Sequence, residues 1–288
     1  MSGAKVVAVG GGHGTAVTLR AVRRYAGEIT AIVSAADDGG SSGRLRDLLG
    51  VPALGDLRKC LSALASSDSK LASSLETRYC EGSLAGHAMG NLLLAGLIEK
   101  TGDLTAALRE AGVLLGTVGR VLPATTIPTE LRAVLRQGSM VGQAAIGQSE
   151  SVLEVSIQPE TAQPPKQALR ALAEADQIVI GPGSLYTSVL AAAVVPSVAE
   201  AISTSKATSV FVCNLEAHAP ETSGYSVADH VDALARHAVV PDVVLCDTAG
   251  SMVLGDVEMA VIDVDLRGSN GLVHEPGKLA RALEALVR

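Results

Sequence analysis

The run Gly10-Gly11-Gly12-His13-Gly14-Thr15 combines two properties that phosphate binding asks of a backbone. Glycines let a diphosphate approach the chain closely, and a helix starting there offers free N–H groups to negative charge. Its spacing, G-x-G-x-G-T, puts Thr15 where a dinucleotide fingerprint needs a third glycine, and no G-K-[ST] follows as in a Walker loop. A second cluster runs Ala35-Ala36-Asp37-Asp38-Gly39-Gly40-Ser41-Ser42-Gly43-Arg44. The adjacent carboxylates Asp37 and Asp38 could take ribose hydroxyls or, beside a phosphate, Mg2+. Ser41, Ser42 and the glycines would make a nest of donors, and Arg44 offers a fork for phosphate or carboxylate. A solvated turn in which Asp38 and Ser42 satisfy only local backbone groups would use the same residues.

Two further loops have similar chemistry. Gly181-Pro182-Gly183-Ser184-Leu185-Tyr186-Thr187-Ser188 places Ser184 as the cap of a following helix, and it lacks the flanking glycines of a G-x-S-x-G nucleophile elbow. Serine hydrolase chemistry is disfavoured. The stretch from Asn214 to Tyr225 carries Glu221 and Thr222, and Ser226-x-x-Asp229 after it reads as a capping box. In Gly86-His87-Ala88-Met89-Gly90-Asn91, His87 and Asn91 lie one helical turn apart, either as a proton carrier near phosphate or as a hydrogen-bonded packing pair. Asp56 would cap the helix after Gly55 or reach a metal. No H-x-x-x-H or cysteine cluster suggests zinc.

These loops need elements that bring them together. Short apolar runs at residues 5–9, 29–34, 177–180, 208–213, 243–246 and 260–264 alternate with Ala/Leu-rich segments of helical period. Strands without polar alternation are covered on both faces, the mark of a parallel sheet wrapped by crossover helices. The expected fold class is therefore α/β, a Rossmann-like three-layer sandwich with a mainly parallel central sheet in one large domain over residues 1–288. Consecutive helical segments between about 44 and 114 suggest a helical insertion. Glycine-punctuated alternation from about 119 to 159 suggests hairpins that extend the sheet antiparallel. In a parallel sheet the loops after every strand reach one edge, and a ligand sits where strand order reverses.

Composition narrows the function classes. With 48% hydrophobic and 18% charged residues in 288, the chain is not of the disordered type. A net charge of −7 and only five aromatics, Tyr25, Tyr79, Tyr186, Tyr225 and Phe211, argue against a nucleic-acid footprint. Cys60, Cys80, Cys213 and Cys246 form no C-x-x-C pair and are expected to be reduced and buried. The apolar run at residues 6–9 is too short for a signal peptide, and those at 92–98 and 189–195 are too short to span a bilayer. A soluble, cytoplasmic protein without membrane insertion is expected.

Taken in order, the loop at 10–15, the stretch 36–46, Gly55-Asp56-Leu57-Arg58, the segment 86–91, the loop 181–188 and the stretch from Asn214 to Val231 resemble the YvcK/CofD-like family. Order and spacing agree as far as about residue 231. One branch of that family contains Mg2+-dependent 2-phospho-L-lactate transferases, which act on a nucleoside-diphosphate-activated substrate. The other contains cytoplasmic gluconeogenesis factors, which bind UDP-sugars such as UDP-N-acetylglucosamine and serve cell shape and wall synthesis on gluconeogenic carbon sources. The unbroken Asp37–Arg44 stretch and the 181–188 loop are similar to the second branch, whereas His13 stands where that branch more often has threonine or another small polar residue. The resemblance implies a diphosphate against Gly10, Gly11, Gly12, His13, Gly14 and Thr15 and against Gly181, Pro182, Gly183, Ser184 and Thr187. It implies ribose or Mg2+ at Asp37 and Asp38, support from Ser41, Ser42 and Arg44, and a sugar toward His87, Asn91 and Asn214. A UDP-sugar is the ligand implied before GDP or NAD, together with a homodimer and regulatory partners in wall synthesis. The phospholactate transferase remains the rival reading.

Overall fold

In the computed structural model, residues 3–66 and 69–287 are described. Seven strands form one wholly parallel sheet: β1 (Lys5–Gly10), β2 (Glu28–Val33), β3 (Arg120–Pro123), then, beyond a smaller sheet, β7 (Gln177–Ile180), β8 (Thr208–Val212), β9 (Val243–Cys246) and β10 (Ala260–Asp263). Their order is β10-β9-β8-β7-β1-β2-β3. The central strands are apolar throughout because each side chain meets a covered face. Val7 and Val9 enter one core with Leu172, Leu190, Val198 and Leu234, while Val6 and Ala8 enter the other with Leu19, Leu57 and Leu279. Successive strand residues point to opposite faces, so one short run of valines serves both layers of helices.

The hairpin region turns out differently from the expected extension. β4 (Glu130–Leu135), β5 (Ser139–Val141) and β6 (Val152–Gln158) form a separate antiparallel sheet of order β5-β4-β6. Leu131, Ala133, Val155 and Ile157 bury one face of it in the same core as Val7, and β6 lies against the helical segments Leu185–Ala193 and Val227–Arg236, so the small sheet packs on that helical layer instead of lengthening the main sheet. The first strand of that region, β3, instead joins the parallel sheet at its edge. Only Val121 and Leu122 precede Pro123 there, too short an apolar signal to read.

The helical segment also needs correcting. Gly40–Leu49 is a helix, although its Gly-Gly-Ser-Ser-Gly start reads as a loop, and Lys70–Ser74 forms only a short helix of 5 residues. Helix Gly55–Leu64 is no appendage: Leu57, Leu61 and Leu64 are buried in the core beneath β2, making it part of the crossover to β3. Cys60, Cys213 and Cys246 are free and buried as expected, but Cys80 is exposed. Among the described residues no single helix is long and apolar enough to cross a membrane.

Candidate functional site at the switch point

From β1 the chain moves to β2 and β3 on one side, and it later fills the other side beginning with β7. Strand order therefore reverses between β1 and β7, which lie in register with Val9 opposite Ile180. The loops leaving these two strands border a cleft of about 700 Å³. They are packed tightly: a Cβ on Gly14 would lie 2.1 Å from the Pro182 carbonyl oxygen, so no larger residue fits there. Thr18 Oγ1 donates to the Gly181 carbonyl at 2.8 Å, and Thr15 Oγ1 donates to that of Gly11 at 3.1 Å. Helix Gly12–Val22 begins at Gly11 without any side-chain cap, and Gly11, Gly12, His13 and Gly14 line the cleft. A helix start without a cap leaves donors and partial positive charge for a ligand.

Of the adjacent carboxylates, Asp37 lines the cleft, with Oδ1 accepting from Gly39 N at 2.9 Å. Burial raises its pKa above the usual carboxylate value, and the charge of Asp56 adds to this. Asp38 instead accepts from Ala144 N at 2.8 Å, in the first turn of helix Gln143–Gly147. Asp56 is not the expected cap either. Leu54 holds that position, and Asp56 in the first turn lies over the cleft, 3.0 Å from Lys59 Nζ. Among the described residues no group of three or more His, Cys, Asp or Glu is arranged to hold a metal. Asp37 and Asp38 are thus committed to different neighbours, and Asp56, the carboxylate that Asp37 feels, already has an ammonium partner. The donor set does not fit the expected Asp37–Asp38 Mg2+ site.

Several expected ligand contacts lie behind the cleft wall. Ser41 Oγ stands 3.1 Å from His87 Nδ1 and accepts from Asn91 Nδ2 at 3.0 Å, while Asn91 Oδ1 accepts from Arg58 Nη1 at 3.1 Å. Arg58 continues to Glu76 through two further bonds of 2.9 and 3.2 Å. His87 is 3% exposed and Arg58 2%, so this chain of bonds locks helix Gly40–Leu49 to helices Gly55–Leu64 and Met89–Thr101. Burial holds the His87 imidazole pKa below its ordinary value. Ser42 Oγ accepts from Gly55 N at 3.1 Å, and Arg44 donates to the Ala85 carbonyl at 2.8 Å. Gly10, Thr15, Ser41, Ser42, Arg44, His87, Asn91 and Gly181 support the cleft without lining it.

The opposite wall presents hydroxyl and amide groups. Asn214, from the β8 loop, pairs with both backbone groups of Gly183, accepting at 3.0 Å and donating at 2.8 Å. Ser184 and Thr187 hydroxyls stand 2.6 Å apart on the cleft surface. Ser184 does not cap the next helix as its sequence suggests: the buried Glu221 carboxylate accepts from Tyr186 N at 3.0 Å, from Thr187 N at 2.8 Å and from the Ser184 hydroxyl. Gln143 donates its amide to the Thr187 carbonyl, leaving Gln143 Oε1 buried without a partner at the cleft. A buried acceptor of this kind is unusual unless a ligand or water completes it.

A sequence profile for the family described as 2-phospho-L-lactate transferase CofD matches residues 6–265. The chain belongs to the CofD family. A protein named gluconeogenesis factor from Halalkalibacterium halodurans is 42% identical over 238 residues, covering 82% of this chain and 74% of that protein. One of the same name from Bacillus subtilis is 40% identical over 236 residues, covering 81% and 74%. The crystal structure of a UPF0052 family member from Bacillus halodurans superposes with a TM-score of 0.94 at 35% identity, covering 99% of both chains. Within the family, this chain is therefore of the YvcK-like kind that the loops at 36–46 and 181–188 suggest.

Some of the cleft lies beyond residue 265, where the profile match ends. Leu272, Val273 and His274 line it from the segment between β10 and helix Pro276–Glu284, with Leu272 65% exposed. His274 Nε2 donates to the Cys213 carbonyl at 3.2 Å, and burial lowers its pKa to about 4. Nothing in the local sequence marks these residues, since their role depends on where β10 ends. Lys59 and Gln143 line the cleft without a local signal either. A lysine one turn into a helix reads as surface charge, and Gln143 follows a strand of the small sheet.

Proposed function

We propose that this chain is a gluconeogenesis factor. In this reading it binds a nucleotide sugar of the UDP-N-acetylglucosamine type in the switch-point cleft and acts as a cytoplasmic regulator of cell shape and wall synthesis on gluconeogenic carbon sources. One observation carries the ligand class: a helix with no side-chain cap starts at the strand-order reversal and faces a wall of hydroxyls and amides across the cleft. The diphosphate would lie against Gly11–Gly14 and the sugar hydroxyls would meet Ser184, Thr187 and Gln143 Oε1, a division that follows from which side offers positive potential. The regulatory role rests on the family resemblance and on relatives named gluconeogenesis factor.

Titration calorimetry with UDP-N-acetylglucosamine, GDP and NAD tests this reading, with saturable binding of the UDP-sugar and no turnover as the expected result. The family description and the cleft carboxylate Asp37 favour a second reading, transfer of a phospholactyl group to a deazaflavin acceptor. Metal-dependent product formation from such an acceptor would establish that one instead.

A further inference from the structure

A diphosphate entering this cleft meets three carboxylates, Asp37, Asp56 and Glu216. The start of a helix supplies only about half a positive charge, so a full cation must come from elsewhere. Among the described residues, Lys59 is the one lysine or arginine in the lining. Its ammonium is 3.0 Å from Asp56 Oδ1, and its side chain is 21% exposed. Asp56 Oδ2 in turn lies 2.6 Å from the position a Cβ of Gly11 would take. One carboxylate therefore tethers the ammonium beside the glycine loop. The same charge adds to burial in lowering the His13 pKa, which places Lys59 within electrostatic reach of that loop.

Resting on the nucleotide reading above, we infer that Lys59 supplies the cation for the diphosphate, and that this chain binds its nucleotide without Mg2+. An ammonium has three donors. The bond to Asp56 uses one, leaving two for phosphate oxygens. A divalent ion at Asp56 would have to displace Lys59 or sit against a fixed like charge, while Asp38 is engaged by Ala144 N. Asp56 then acts as a positioning residue: it aims the ammonium at the glycine loop. If Lys59 served only to neutralise Asp56, its removal would affect melting and leave ligand affinity unchanged.

Calorimetry with UDP and with inorganic pyrophosphate, each in Mg2+ and in EDTA, on wild type, Lys59→Met and Lys59→Arg decides the matter. Wild type should bind UDP with the same affinity in both buffers. Lys59→Met should bind about 10- to 100-fold more weakly in EDTA, the range of one charge-assisted contact, and Lys59→Arg should recover most of that loss. Thermal melts of the same samples confirm that each variant is folded. UDP binding by wild type that disappears in EDTA, or a folded Lys59→Met with unchanged affinity, would overturn the inference while leaving the nucleotide site in place. Failure of wild type to bind UDP or pyrophosphate in either buffer would remove both.

Discussion

Asp37 shows how a binding site weakens the fold that holds it. Burial and the neighbouring Asp56 raise its pKa, so the folded state binds this proton more tightly than the unfolded chain does. The associated stability is present in acid and lost as pH rises through the folded value. At neutral pH Asp37→Asn should therefore raise the melting temperature, and a lower melting temperature would contradict this account. Asp38 behaves differently, because its bond to Ala144 N is structural. Asp38→Ala should cost about 1 kcal/mol in urea unfolding, the usual value of a lost bond at a helix start. The sequence presents these two carboxylates as equals. They differ because one turns into the cleft and the other reaches a residue 106 positions away.

Helix starts divide in the same way between local and distant partners. The Ser226–Asp229 capping box forms as its spacing indicates, with reciprocal bonds of 2.8 and 3.1 Å, because both partners lie within one turn. Ser226→Ala should lower stability by about 1 kcal/mol and leave ligand affinity intact, as unfolding and calorimetry on one preparation would show. Hydrogen bonds from Ser226 depress the Asp229 pKa, so this contribution is present above the unfolded value and vanishes as pH falls through the folded one. By contrast, the cap of the helix after Ser184 is Glu221, 37 positions away, and no local pattern could show it. Glu221→Ala would leave the Tyr186 and Thr187 N–H groups unpaired in a buried setting. It should cost about 1–3 kcal/mol for each and distort the hydroxyl wall of the cleft.

For the whole molecule, burial lowers the pKa values of His87, His230, His237 and His274, the last to about 4. The unfolded chain then binds more protons than the folded one in mild acid. The contribution of these imidazoles is complete above the ordinary value of 6.5, and on account of His274 it should fall between 6.5 and about 4. Urea unfolding across that range should give a shallower decline for His274→Gln, and an unchanged slope would remove His274 from the explanation.

Local patterns in the chain establish the strand-helix alternation, the parallel central sheet and the positions of its loops, because apolar runs and glycine turns are set by neighbouring residues. They also establish the family, through motifs whose order survives from Gly10 to about residue 231. Folding in three dimensions is what makes strand order reverse between β1 and β7, and what puts Asp37, Lys59, Gln143 and His274 in one cleft while Ser41, His87 and Asn91 stand behind its wall. The physical reason is distance along the chain. Which side of a loop faces a ligand depends on packing against elements far away in sequence, and no local pattern records that contact.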